Sequence, residues 1–207
     1  MQARGQATFE RVLDATAALL DEVGGERLTT NLIAQAADIN VATLYQYFPN
    51  KQTVLLTLFK KQSEARKELG ERQIAGSSGS ADWRRIIGNA VESIARARTA
   101  TPGAVPLRQL MRSSPELLEH ELQSSLHIAD TLATELQASG IKRDKAMLVA
   151  RCAIEILTSI LDMWSIETGG RDDRLVDEAK VALLSYLAPY FEKSEARAAG
   201  KKKTRSR

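Results

Sequence analysis

The chain has 207 residues, of which 43% are hydrophobic and 27% charged, as is typical of a globular protein with one or two domains. Its single cysteine, Cys152, and two histidines exclude an internal disulfide framework and a zinc finger. The net charge of +3 comes from residues 197–207, which carry six basic and no acidic side chains. The charge therefore says little about what the rest of the chain binds.

Several other classes of protein are also disfavoured by the sequence. No segment is apolar enough to span a membrane, and the first residues lack the apolar stretch of a signal peptide, so we expect a cytoplasmic protein without a membrane partner. Gly-rich phosphate loops and catalytic motifs are missing from the sequence. His120 and His127 lie seven residues apart, but too few further ligands converge there. We therefore expect no enzyme activity, no cofactor and no metal.

Helical periodicity begins near the start of the chain. An apolar stripe from Phe9 to Val23 predicts a first helix, which Gly24 and Gly25 end in a left-handed conformation. Thr29 and Thr30 offer an N-cap for a short second helix that ends at Ala37.

The following segment predicts a tight corner. Asp38, Ile39 and Asn40 form a turn, because Asp and Asn tolerate left-handed backbone and cap helices. A short third helix is predicted over about 41–48, and a long one from residue 51 to about 73. Further helices are predicted over about 81–100, 104–113, 115–138, 143–168 and 172–193.

Two short helices joined by a tight turn match the plan of a helix-turn-helix unit. The small residues Ala34 and Ala37 allow these helices to approach closely. The run IAQAADINVATLYQYFPNK, residues 33–51, strongly resembles the signature of the TetR (tetracycline-repressor-like) family, and the close resemblance covers about residues 9–59. Asp38 and Asn40 replace the Gly and Ser that are usual in the family, and both suit a turn and a cap.

The resemblance implies an all-α, homodimeric fold. It predicts a three-helix helix-turn-helix domain at residues 1–51 and a helical-bundle domain for ligand binding and dimerisation at 52–195. The composition of residues 196–207 predicts a disordered basic tail. That tail either serves solubility or attracts DNA without sequence preference.

The resemblance also implies which residues contact double-stranded DNA. The N-terminal residues of the recognition helix would read base edges in the major groove, and hydroxyls and a lysine would bind phosphates. The candidate base readers are Asn40, Val41, Ala42 and Gln46. For Asn40, a purely capping role is an equal alternative. The other candidate contacts are Thr29, Thr30, Thr43, Tyr45, Tyr47 and Lys51.

The helices over 143–168 and 172–193 are apolar on more than one face. With the resemblance, this predicts that they pack against their twofold mates in a dimer. The predicted interface residues are Leu157, Leu161, Val176, Leu183 and Leu187.

A cavity for an unidentified apolar or amphipathic effector is also implied by the resemblance, although a filled core is the simpler interpretation of each residue. Its predicted lining is Trp83, Ile87, Leu107, Met111, Leu122, Leu126, Ile156 and Trp164. The most economical function is a transcriptional repressor that a small molecule releases from a (pseudo)palindromic operator. The alternative is an activator or a regulator that responds to a protein partner.

Overall fold

The computed structural model describes residues 3–75, 77, 82–111 and 114–205; the side chains at 3, 111, 116, 117 and 193–205 are not described. Within these ranges the chain is α-helical and contains no strand, which confirms the predicted all-α class. The helices are α1 (Ala3–Arg27), α2 (Thr30–Ala36), α3 (Val41–Tyr47), α4 (Lys51–Ile74), α5 (Trp83–Ala100), α6 (Ala104–Met111), α7 (Pro115–Ala138), α8 (Arg143–Asp162) and α9 (Arg174–Arg205), with a π-helical turn at Met163–Glu167.

The first helix ends where its glycines predict. Gly24 has φ 74° and ψ 166°, which interrupts the helical backbone inside the α1 range. Along the preceding stripe Val12, Thr16 and Leu20 are fully buried, because their spacing of four residues places them on one side of the helix. The stripe is therefore confirmed, and the helix breaks at Gly24 as predicted, but helical backbone resumes after it as far as Arg27.

The chain forms two compact units that are each built around their own core. Unit 1 comprises Met1–Ala65 and Arg98–Glu121, and unit 2 comprises Arg66–Ala97 and Leu122–Arg207. This division falls within α4, whereas the sequence placed a domain boundary between residues 51 and 52. The start of α4 lies in unit 1 because its apolar side chains, including Val54 and Phe59, pack into the same core as α1 to α3.

Two features at the end of the chain differ from the sequence prediction. The eighth helix changes to a π-helical turn at Met163 before Gly169 and Gly170, both of which have positive φ. The backbone of α9 is helical as far as Arg205, whereas disorder was predicted from residue 196. Eight of the ten residues from 196 to 205 are Ala, Lys or Arg, which are strong helix formers, and a helix that is already nucleated extends through such residues at little cost.

Candidate nucleic-acid interface

The short α3 helix divides its residues between a buried and an exposed side. Leu44 is fully buried and Phe48 nearly so, and both belong to the core of unit 1. The exposed side carries the aliphatic, aromatic and amide side chains of Val41, Ala42, Tyr45 and Gln46. These positions at i, i+1, i+4 and i+5 lie on one face of a helix, so the four side chains can meet one ligand surface together.

Asn40 is the N-cap of α3. Its Oδ1 accepts hydrogen bonds from the backbone N–H groups of Ala42 at 2.7 Å and Thr43 at 3.1 Å. These bonds satisfy two donors that a helix leaves unpaired at its start. The bidentate pairing of an asparagine with adenine needs that same oxygen. The geometry therefore favours the capping role of Asn40 over base reading.

We expect the Asn40→Ala substitution to lower the free energy of unfolding by about 1 kcal/mol, because two amides of α3 lose their acceptor. The variant should also bind all duplexes more weakly, whereas Asn40→Ser should restore most of the stability. Thermal unfolding followed by circular dichroism measures the first effect, and fluorescence anisotropy with labelled duplexes measures the second. A Ser variant of normal stability that prefers a different base would instead make Asn40 a base reader.

The turn before α3 also follows its sequence. Asp38 has φ 52°, and among the described residues it is the one non-glycine with positive φ. The Ile39 N–H bonds to the carbonyl of Ala34 at 3.0 Å, which closes the end of α2. Asp38 therefore performs the left-handed role that glycine fills more commonly in such turns.

Hydroxyl groups cluster where α2 begins. The Thr29 Oγ1 accepts the backbone N–H of Leu32 at 3.2 Å and so caps α2, as predicted. The hydroxyls of Thr30 and Tyr45 lie 3.1 Å apart and form a hydrogen bond. This bond joins the first residue of α2 to the exposed face of α3 and places a second polar group beside the candidate base readers.

The other predicted phosphate contacts are less accessible. The Lys51 ammonium donates to the carbonyls of Leu28 at 2.9 Å and Gly25 at 3.4 Å, so it ties the start of α4 to the end of α1. Tyr47 is half-buried and packs against the core of unit 1, and Thr43 is half-buried as well. Lys51 keeps one N–H for an outside acceptor, because an ammonium has three donors.

The charge around this surface is nearly balanced. Residues 1–65 contain six basic and seven acidic side chains, and neither Lys nor Arg occurs between Arg27 and Lys51. Lys61 is paired with Glu10 at 2.7 Å and Asp14 at 3.5 Å, and the hydrogen bond to Glu10 raises the pKa of Lys61 above its usual value. Hydroxyls, amides and helix N-termini are therefore the main groups on this surface that could bind an anion.

The eight predicted effector residues do not form one site. Leu107 belongs to the core of unit 1 and lines neither of the spaces described below. Trp83 and Trp164 are buried in the core of unit 2, where neither indole N–H has a hydrogen-bond acceptor among the described residues. Ile156 is half-buried, and the side chain of Met111 lies outside the described part.

Among the described residues of unit 2, two neighbouring spaces are prominent. An open groove of about 210 Å³ lies between α7 and α8, and the predicted residues Leu122 and Leu126 line it. An apolar cavity of about 30 Å³ lies deeper, and Ile87 contributes to its wall. The sequence analysis missed the groove residues of α8, Arg151, Ile154 and Glu155. The sequence feature that could have indicated them is an Arg and a Glu one helical turn apart, with Ile154 directly before the Glu.

The predicted dimer-interface residues lie in the core of a single copy of the chain. Leu157, Leu161, Val176, Leu183 and Leu187 are at most 7% exposed within a single copy of the chain. They pack into the core of unit 2, because two amphipathic helices, α8 and α9, turn these side chains toward each other and toward α5 and α7. They therefore leave little surface for a second copy to cover.

The outer side of α8 and α9 has apolar side chains of its own. Leu148 is 55% exposed and Val181 58% exposed, and Cys152, one turn after Leu148 on α8, is exposed as well. Burial, together with the nearby Cys152 side chain, raises the pKa of Tyr186 of α9 to about 12. Tyr186 therefore stays protonated at neutral pH and contributes an uncharged side chain to this side of the helix pair.

No group of three metal-binding side chains occurs among the described residues, and His127 is exposed while His120 is half-buried. None of the described helices combines the length and the apolar character that crossing a membrane requires.

A short capped helix that presents one solvent-exposed reading face, held against a second helix by a tight turn, defines a helix-turn-helix DNA-binding protein. Residues 12–58 match the description "Bacterial regulatory proteins, tetR family", and residues 82–187 match "Tetracyclin repressor-like, C-terminal domain". The chain therefore belongs to the TetR family of bacterial regulatory proteins.

Individual relatives agree with this assignment. The chain is 40% identical over 55 residues to the HTH-type transcriptional repressor KstR of Rhodococcus jostii, a match covering 27% of this chain and 26% of that protein. It is 23% identical over 156 residues to KstR of Mycobacterium tuberculosis, covering 75% and 70% of the two chains. A TetR-family regulator structure from Mesorhizobium loti superimposes with a TM-score of 0.75 at 16% identity, covering 92% and 100%. The match to the Rhodococcus protein thus spans about a quarter of its length, and the solved structure supports the fold alone.

Proposed function

We propose that this protein is a dimeric transcriptional repressor that binds a (pseudo)palindromic operator through α3 and leaves it when an effector binds unit 2. The exposed reading face of α3, with Leu44 buried behind it and Asn40 capping its start, is the observation that carries the proposal. Repression is supported by the relatives described as transcriptional repressors. The protein would act in the cytoplasm on duplex DNA, as a regulator and not as an enzyme.

Base reading is assigned to the exposed side chains of α3. The Gln46 amide has both a donor and an acceptor and can pair with adenine, whereas Val41 and Ala42 can contact a thymine methyl group. The hydroxyls of Thr29, Thr30 and Tyr45 would bind phosphates and so set the position of α3 on the duplex.

This division predicts different outcomes for two substitutions on the same face. Gln46→Ala should lose about 1–3 kcal/mol on the selected duplex and relax the preference at one base pair. Tyr45→Phe should weaken every duplex by a similar factor, because it removes the hydroxyl that contacts Thr30 and a phosphate. Selection of duplexes from a random library, followed by anisotropy titrations at fixed salt, measures both.

Gln109→Ala is a matched control for these variants, because Gln109 is an exposed glutamine on α6 in the same unit. It should leave affinity and base preference unchanged. Failure of the wild-type protein to enrich any sequence from the library would contradict the proposed DNA recognition as a whole.

Dimerisation is proposed through the exposed side of α8 and α9, which includes Leu148, Cys152 and Val181. Two copies related by a twofold axis would bury these apolar side chains against each other. The two α3 helices would then contact half-sites about 34–36 Å apart, one turn of DNA. An effector acts in this scheme by binding better to a form in which that spacing no longer fits the operator.

A further inference from the structure

The two spaces in unit 2 share one wall residue. Ile154 of α8 lines both the open groove between α7 and α8 and the apolar cavity. Its side chain is half-buried, so it lies between solvent on one side and the interior of the helical unit on the other. A change of the Ile154 rotamer would therefore be the smallest movement that joins the groove to the cavity.

The cavity has the chemistry of a hydrocarbon site. All the described residues that line it are apolar, and they come from α4, α5, α7, α8 and α9. Its volume of about 30 Å³ is close to that of one water molecule, but the lining offers water no hydrogen-bond partner. A cavity of this kind accepts alkyl groups in preference to water, and its side chains would have to move apart to admit more than one methylene.

The groove has a different chemistry. Gln123, Ser125 and Arg151 each bring hydrogen-bond donors to its wall, and Glu155 is the one described residue there whose side chain only accepts. Arg151 and Glu155 stand one helical turn apart, yet the described part of the chain shows no ion pair between them or with another residue. The guanidinium thus has its planar donors available, and these fit a carboxylate in a bidentate arrangement.

From this juxtaposition, and building on the proposed effector control, we infer that the effector is a single-chain amphiphile with a carboxylate head. The carboxylate lies in the groove on Arg151, supported by Gln123 and Ser125. The alkyl chain passes Ile154 and enters the apolar cavity. Glu155 opposes an anion in the groove, so its charge weakens this binding and limits the affinity.

Calorimetric titration with dodecanoate, dodecan-1-ol and dodecylammonium, each below its micelle concentration, tests the head-group assignment. Arg151→Gln should weaken dodecanoate binding about tenfold and leave dodecan-1-ol within about twofold. Glu155→Gln should tighten dodecanoate about threefold, because a like charge is removed. Arg143→Gln is the matched control, since Arg143 is an exposed arginine on the same helix outside the groove.

The proposed entry of the alkyl chain into the cavity past Ile154 is tested with carboxylates of different alkyl-chain length. In the wild-type protein dodecanoate should bind at least about tenfold more tightly than octanoate, because its extra methylenes are buried. Ile154→Trp, which fills the passage, should remove this difference, whereas Ile154→Val should keep it. The groove variants exchange exposed side chains, so their results stand even if the Trp variant fails to fold.

Specific outcomes would overturn the inference. Absence of dodecanoate binding would do so, as would tighter binding of dodecylammonium that is lost in Glu155→Gln. These titrations contain no DNA, so a negative result in them is independent of the proposed DNA binding. A protein that selects an operator but binds no dodecanoate keeps its DNA recognition, and one that binds dodecanoate without leaving the operator loses only the proposed release.

Discussion

Leu183→Asp is expected to unfold the protein rather than simply separate two copies. Leu183 is 5% exposed within one chain and belongs to the core of unit 2. An aspartate there loses the buried apolar contacts and leaves a carboxylate without a partner, at a combined cost above about 5 kcal/mol. Whole domains are stable by only about 5–15 kcal/mol, so most of the native population should be lost.

Val181→Asp is the matched variant, two residues earlier on the same helix and 58% exposed. It should change the intrinsic stability of a single copy by no more than about 0.5 kcal/mol, but should weaken the proposed dimer. Urea unfolding followed by circular dichroism, together with light scattering after size exclusion, measures both properties. The unfolding has to be compared at several protein concentrations, because dimerisation itself stabilises the native state. A Leu183→Asp protein that is monomeric with a wild-type urea midpoint would contradict the core position of Leu183.

The helix-turn-helix unit could be predicted because its signals are local. Gly24 ends a helix through its own backbone freedom, Asp38 adopts φ 52°, and Thr29 and Asn40 cap helices that begin directly after them. Each of these residues acts on a neighbour within three or four positions. The sequence pattern therefore contains almost all the information that fixes this part of the fold.

The interface and the effector site could not be predicted in the same way. Apolar periodicity shows that Leu157 and Leu183 are buried, but it does not show whether the same chain or a second copy buries them. Exposed residues such as Leu148 and Val181 look in sequence like further core positions. A cavity depends on how five helices pack together. The sequence alone therefore does not show that Ile154 lines both the groove and the cavity.

A second large effect is expected at Gly103, where the chain enters α6. Gly103 has φ 70°, and a Cβ added there would lie 2.8 Å from the carbonyl oxygen and 2.9 Å from the Cα of Ala17 in α1. Its N–H also donates to the Asp21 carboxylate at 2.7 Å. The backbone of this loop therefore lies directly against the backbone of α1, within the unit that carries the reading face.

Gly103→Ala should lower the free energy of unfolding by about 2–5 kcal/mol and weaken DNA binding. About 1–2 kcal/mol of this comes from the left-handed backbone, and the rest from displacing α1 at an atom that cannot rotate away. Gly169→Ala is the control, since Gly169 has φ 61° and its added Cβ would meet only the flexible Arg171 side chain, at 3.7 Å or more. It should cost the backbone term alone. Urea unfolding of the two variants separates the backbone cost from the cost of displacing α1. Equal losses of stability would show that α1 moves aside freely, so the close approach at Gly103 would not hold α6 against α1.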